Sequence, residues 1–350
     1  MPGKVTIQDI ADALGLSRNT VSKAINNTGV LADATRERIL RKAQEMGYKQ
    51  FSYMQFKDEA YITAPDRELP NQKREIALLF TGTLGNSHFS STMLDRFQHN
   101  LSAVGFSMSM YRVMPEELAS CRLPNAFDPD QKAGIMCIEI FDAAYCRMLC
   151  GLNVPLLFVD GPVSIFEGAF ATDMLLMDNQ THLYEFMREM KRRGKSKIGF
   201  TGDIRHCQSF YERFSAFRQS VEMFGLSDVG SITGTMNLTE NDYRLYLQES
   251  LEQTELPEVY ICANDFIALD LLHALQKMNL SVPEDLWICG FDDSPESRII
   301  SPRLTTVHIH SQIMGQTAVD LLYSRILSPE MNYRIVYTET NLIYRESTGD

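Results

Sequence analysis

No apolar run in this 350-residue chain approaches the length of a membrane-spanning helix. The start has no basic stretch followed by an apolar block, so a secretory leader is not expected. Seven cysteines, Cys121, Cys137, Cys146, Cys150, Cys207, Cys262 and Cys289, contain no CxxC pair, and several sit in apolar strand-like runs. They read as buried free thiols in a reducing cytoplasm. The motifs GxxxxGK[ST], HExxH and GxSxG are all missing, which removes the commonest phosphate-loop, zinc-protease and serine-hydrolase signatures. Positive charge is also short, since 33 Lys and Arg face 45 Asp and Glu for a net of −12.

That deficit is unevenly spread. Residues 1–57 carry nine Lys or Arg and five Asp or Glu, a net of +4, leaving −16 for the rest. An acidic body discourages unspecific adhesion to DNA and leaves a small basic head to make contacts. The head contains TIQDIADALGLSRNTVSKAIN from Thr6 to Asn26. Thr6 and Asp9 form a capping box that opens a helix burying Ile7, Ile10, Ala11 and Leu14. Gly15 ends it, because glycine takes the left-handed terminal conformation without steric cost. Ser17 caps a second helix in which Val21, Ala24 and Ile25 share one face. Arg18 with Ser22, and Asn19 with Lys23, stand one turn apart on the other. A helix fits the major groove, where Arg and Lys donate to guanine and Asn pairs with adenine. Arg18, Asn19 and Lys23 are therefore the expected base readers. A third helix is expected over Thr35 to Met46, with Ile39, Leu40 and Ala43 inward and Arg36, Arg38, Arg41 and Lys42 available to phosphates.

These residues, with TRERILRKAQEMGY ending at Tyr48, closely resemble the N-terminal signature of the LacI/GalR family of transcriptional repressors. The resemblance implies a DNA-facing set of Thr6, Ser17, Arg18, Asn19, Thr20, Ser22, Lys23, Asn26 and Arg36. It also implies a hinge after Tyr48. The segment after Tyr48 shows neither the family's Pro-Asn soon after the Tyr nor its wedge Leu, with Lys57 falling at the Leu position, so Met54 or Phe56 is the expected apolar wedge.

From Arg74 onward short apolar runs alternate with amphipathic stretches. Strands are expected at Ile76 to Phe80, Phe106 to Tyr111, Ile135 to Ile140, Leu156 to Val159, Ile198 to Thr201, Val259 to Ala263 and Leu286 to Cys289. Helices are expected at Tyr184 to Arg192, Phe210 to Phe224 and Phe266 to Met278. Alternation of this kind predicts parallel sheets with crossover helices, an α/β fold of two lobes with a cleft between them. The resemblance extends over this part through GNSHFSS, VPLLFVD, DNQTHLYEFMREMKRRGKSKIGFTGD, SFYERFSAF, ANDFIALDLLHAL, VPEDLWICGFDD, SPRLTTV and IMGQTAVDLL. It implies a core like a periplasmic sugar-binding protein behind the DNA-binding head. The expected divisions are a helix-turn-helix domain at 1–48, a linker at 49–73 and a doubly wound, parallel-sheet sensor core at 74–350. Lobe 1 is expected over about 74–165 and 301–328, lobe 2 over about 170–296 and 331–350, with crossings near Gly161 to Asp173, Ser294 to Leu304 and after Leu327.

Ligands of open parallel sheets bind beyond the carboxyl ends of the strands. Polar residues directly after apolar runs are thus the candidates: Asn86 with Phe89, Asp160, Arg213, Asn264 and Asp292. A carbohydrate needs this mixture, because Asp and Asn accept from hydroxyls, Arg clamps neighbouring oxygens and an aromatic ring packs on C–H faces. Asp265 is expected to cap the helix after it, and Asp293 to hold a turn. Ala216 replaces the family's Gly three residues after Arg213, which predicts an altered pocket wall. His308 and His310 form an HxH without a third ligand in sequence, and Cys146 and Cys150, one turn apart, read as packing residues. No cofactor, metal or catalytic residue is expected. The leading expectation is a cytoplasmic homodimeric regulator of double-stranded operator DNA answering to a small carbohydrate. A core that answers to a protein partner, and a sugar-metabolising enzyme with a helical appendage, are the alternatives.

Overall fold

The computed structural model describes residues 5–25, 73–82, 88–234 and 240–350, with 35, 38, 39, 41–43 and 46 between them. Asn26, Arg36, Met54, Phe56, Asn86 and the hinge segment lie outside the described residues, as does the side chain of Phe89, which belongs to the helix His88–Ala103. The chain divides into two compact units, Met1–Glu68 and Leu69–Asp350.

In the first unit, helix α1 spans Ile7–Leu14 and α2 spans Arg18–Ile25. The capping box is present: Thr6 N–H donates to Asp9 Oδ2 at 2.7 Å, and Asp9 N–H donates to Thr6 Oγ1 at 3.3 Å. Gly15 ends α1 at φ 63°. Thr20 N–H donates to Ser17 Oγ at 3.0 Å, so Ser17 caps α2. Ile10, Ala11, Val21, Ala24, Ile25, Ile39 and Ala43 form one buried cluster, which holds the two helices and the helical residues after them together. Burial of that cluster leaves Arg18, Asn19 and Lys23 exposed on α2.

The second unit holds two parallel sheets. The first has the order β11-β5-β4-β3-β1-β2, with β1 Glu75–Phe80, β2 Ser107–Arg112, β3 Gly134–Ile138, β4 Leu156–Val159, β5 Asp173–Met177 and β11 Ile335–Thr338. Its inner strands are near-continuous apolar runs because helices cover both faces. Ile76, Leu78, Met136 and Ile138 face a core shared with Met93, Phe97, Met314 and Leu322. Ala77, Leu79, Ile135 and Cys137 face the opposite core with Tyr145, Cys146 and Leu149. The helix Ser311–Leu327 lies so close to His88–Ala103 that a Cβ at Gly315 would sit 2.5 Å from the Met93 carbonyl oxygen. The second sheet has the order β7-β6-β8-β9, with β6 Lys197–Thr201, β7 Ser227–Asp228, β8 Val259–Cys262 and β9 Trp287–Cys289, and its core includes Phe186, Phe200, Phe217, Leu271 and Leu275. The fold class is thus the expected doubly wound α/β one.

The lobe boundaries differ from the expected ones. β5 and β11 pair with each other and close the edge of the first sheet, Met174 opposite Ile335, so residues 173–177 and 335–338 belong to lobe 1. The first passage between lobes therefore lies at 178–181 and the third after Thr338, not at Gly161 to Asp173 and after Leu327. The second runs from Gly290 to Thr306. Strand β10, Thr306–Ile309, pairs antiparallel with β12, Thr340–Ile343, so the last two passages form one ribbon.

All seven cysteines are free, five of them buried. No helix among the described residues is long and apolar enough to cross a membrane. At the edge of lobe 1, Asp173 is 1% exposed and ion-paired to Arg325 and Arg334, each at 2.9 Å. Removing one partner of a buried pair leaves an uncompensated charge. Asp173→Ala is therefore expected to cost about 3–5 kcal/mol in urea unfolding. Glu255→Ala, at the exposed Lys197 pair, should cost under about 1 kcal/mol. Equal shifts of the urea midpoint would contradict this account.

Candidate functional site

Four carboxylate residues sit just past the carboxyl ends of strands, and all four turn there with positive φ: Glu139 at 57°, Asp160 at 58°, Asp292 at 111° and Asp293 at 54°. For residues other than glycine this conformation is uncommon, and it gathers at functional sites. The strands of the two sheets thus end in acidic turns around the space between the lobes.

Arg213 lies at the base of that space, on the helix Gln208–Phe224. Its side chain is 3% exposed. Nε donates to Asn179 Oδ1 at 2.9 Å and Nη1 donates to the Ala263 carbonyl at 2.6 Å. The guanidinium lies 3.5 Å from the centroid of the Phe291 ring, and Nη1 is 3.6 Å from Asp292 Oδ1. A buried cation is tolerable here because Nε, Nη1 and the guanidinium face over Phe291 each meet a partner. Neighbouring Glu212 is buried as well: it accepts from Asn179 Nδ2 at 2.7 Å, Gln208 Nε2 at 2.9 Å and the Tyr337 hydroxyl at 2.8 Å.

Asp292 keeps 23% of its side chain open. Burial pushes its carboxyl up to about 7, and the charges of Asp265, Asp160 and Glu139 add to the rise against the opposing pull of Arg213. Asp160 projects from lobe 1 and accepts from Gly161 N–H at 2.8 Å and Ser209 N–H at 3.2 Å. Its carboxylate therefore caps a helix of the other lobe. Gln208 N–H donates to the Gly161 carbonyl at 2.8 Å, and Gln208 Oε1 accepts from Ser164 N–H at 2.9 Å and its hydroxyl at 3.1 Å.

Asn264 is the N-cap of Asp265–Lys277, its side chain accepting from Ile267 N–H at 3.0 Å. The cap expected of Asp265 belongs to Asn264 because the helix begins one residue earlier. Asp265 is instead fully buried, accepting from Ser294 N–H at 2.7 Å and Thr306 Oγ1 at 2.6 Å. Asp293 holds its turn through Arg298, Arg345 and His308. Burial alone would raise its carboxyl, but hydrogen bonds from His308, Arg345 and Arg298 bring it down to about 2. Ala216 lies in the core of lobe 2 rather than on a cleft wall.

The structure thus gathers Asp160, Arg213, Asn264 and Asp292 around one space, and adds Asn179, Glu212, Gln208, Ser209 and Phe291. Asn179 follows β5, a strand absent from the expected set, and Phe291 reads in sequence as one more apolar residue. His308 Nδ1 lies 2.9 Å from Asp293 and His310 Nε2 lies 2.7 Å from Asn341 Oδ1, so each imidazole is engaged separately. No cluster of three or more metal-ligating side chains occurs among the described residues.

Residues 6–50 match the family described as bacterial regulatory proteins, lacI family, and residues 187–348 match the periplasmic binding protein-like domain. The chain is 26% identical over 360 residues to the HTH-type transcriptional regulator GalR of Lacticaseibacillus casei, covering 98% of this chain and 99% of that one. It is also 26% identical over 351 residues to the HTH-type transcriptional repressor PurR of Erwinia tasmaniensis, covering 99% and 97%. Among solved structures it resembles the transcriptional regulator CelR–cellobiose complex, with TM-score 0.68, 22% identity and coverage of 98% and 99%. The lac repressor dimer bound to operator and the anti-inducer ONPF gives 0.64, 19% and 99% of each chain. At these identities the structural likeness establishes the fold. The sequence relatives are transcriptional regulators, which sets aside the enzyme reading.

A carboxyl whose acidity is weakened by folding makes its full contribution above its folded pKa, and that contribution is unfavourable. For Asp292 the penalty is absent below the unfolded value near 3.8, grows with rising pH and is complete above about 7. Asp292→Asn is therefore expected to raise the melting temperature at pH 8 by roughly 2–5 °C and to have no stabilising effect near pH 4. Calorimetric scans across that range check this, and equal stabilisation at both ends would contradict it.

Proposed function

Because the chain belongs to the LacI/GalR family of DNA-binding transcriptional regulators, we propose that it represses transcription by binding a palindromic operator as a homodimer in the cytoplasm. Its effector is a small carbohydrate held in the cleft between the lobes. The observation that carries the effector half is the meeting of Arg213, Asp292 and Asn264 at the carboxyl ends of strands, with Asp160 opposite. Hydroxyl groups need such paired acceptors and donors. The solved relative with cellobiose supports the choice of a sugar.

The DNA half rests on α2. Val21, Ala24 and Ile25 are buried, which fixes the helix by one face and presents Arg18, Asn19 and Lys23 on the other. Thr6, Ser17, Thr20 and Ser22 are assigned to the same interface, and Asn26 and Arg36 are carried with them from the sequence. One three-helix head makes few contacts, and a two-fold pair would place two such helices on a symmetric site. Asn86 and Phe89 complete the proposed effector set.

The test is selection of bound duplexes from a random pool, followed by affinity measurement on the enriched sequence. A two-fold symmetric motif is expected. Arg18→Ala and Lys23→Ala should each weaken binding to it by about 10–100-fold and leave carbohydrate binding unchanged. Asp292→Ala should reduce carbohydrate binding and retain the motif. Footprints of unchanged position and affinity in the Arg18→Ala protein would refute the assignment of base readers.

A further inference from the structure

Two long helices begin at the cleft, and the N-terminus of a helix is the ordinary place to bind a phosphate or carboxylate. Here each start already has N–H groups taken by the chain's own acceptors. At the start of Gln208–Phe224, Ser209 N–H is taken by Asp160 Oδ1 at 3.2 Å and Gln208 N–H by the Gly161 carbonyl at 2.8 Å, both from the opposite lobe. At the start of Asp265–Lys277, Ile267 N–H is taken by Asn264 Oδ1 at 3.0 Å. Nε and Nη1 of the guanidinium at the base of the cleft are committed too. Arg213 donates to Asn179 and to the Ala263 carbonyl, stacks on Phe291 and faces Asp292. Arg205 is exposed, with its guanidinium over the Phe166 ring.

Among the described residues, an anion entering this space would have to displace Asp160 or the Asn264 side chain from a helix end or approach Arg213 past Asp292. A hydroxyl meets no such obstacle, since it donates to Asp160 or Asp292 and accepts from amide donors in turn. An ammonium is attracted by the same carboxylates. We propose that the cleft takes an uncharged or amine-bearing ligand and rejects its phosphorylated counterpart, with Asp160 standing where a ligand phosphate would otherwise bind. The inference rests on the cleft being the effector site and concerns the charge of the ligand, whether or not it is a carbohydrate.

The test is calorimetry of the full chain against matched probes. Glucose and galactose are each titrated as the free sugar, the 2-amino sugar and the 6-phosphate, and adenosine and cytidine each as nucleoside and 5′-monophosphate. In any series that gives heat, the uncharged or amine-bearing member is expected to bind at least about tenfold more tightly than the phosphate. A phosphate that binds more tightly than its uncharged counterpart overturns the proposal. Heat from a nucleoside alone would uphold the charge rule while refuting the carbohydrate reading, so the two fail separately. Asp160→Asn keeps an oxygen to accept from Gly161 and Ser209 but removes the charge. In that variant the disadvantage of the phosphate should shrink about tenfold, and an unchanged ratio would remove Asp160 from the account.

Discussion

The second unit depends on a buried cation held where its chain crosses between lobes. Arg213 is bound by Asn179 in the first passage and by Phe291 and Asp292 in the second. Its neighbour Glu212 accepts from Asn179 and from Tyr337, just before the third passage. One turn of one helix therefore touches two of the connections between the lobes and the strand that leads into the third. A buried guanidinium is costly unless every donor is met, so the position of each connection is constrained by the others. Asp265 adds a second fastening within the second passage by holding Ser294 and Thr306 at once.

Such an arrangement gives a ligand a lever. Asp292 belongs to the second passage and touches Arg213, and Asp160 reaches from lobe 1 to the first turn of the Arg213 helix. A molecule that binds either carboxylate competes with, or reinforces, contacts that set the two lobes relative to one another. It acts only through a difference in affinity between lobe arrangements. The charge surroundings of Asp292, whose carboxyl sits near 7, make that residue sensitive to whatever replaces water beside it.

Local chemistry was legible in the sequence and long-range chemistry was not. The Thr6 and Asp9 capping box, the left-handed Gly15 and the Ser17 cap all act over three residues, and each was readable from spacing alone. The inner strands β1, β3, β4 and β8 announced themselves as apolar runs. Residues 173–177, not expected as a strand, fall in the wrong lobe by sequence because their partner β11 is an exposed edge strand 161 residues away, with Ile335 and Tyr337 more than half exposed. Asn264 and Asp265 are both good capping residues, and only partners 29 and 41 residues distant make the second of them a buried acceptor. Asp292 reads as a cleft residue from its place after an apolar run, Arg213 from its place near the start of a helix, and both from family resemblance. Asp160 was read as a ligand contact, but its role as a cap for the opposite lobe needed the tertiary fold.

We propose that occupancy of the cleft and reading of DNA are one linked equilibrium. Linkage requires the ligand to change operator affinity by the same factor by which the operator changes ligand affinity. The most direct measurement is therefore the operator dissociation constant of the full chain with and without saturating cleft ligand, paired with the ligand dissociation constant with and without operator. Equal factors of at least about fivefold are expected. Two independent affinities, each unmoved by the other partner, would contradict it.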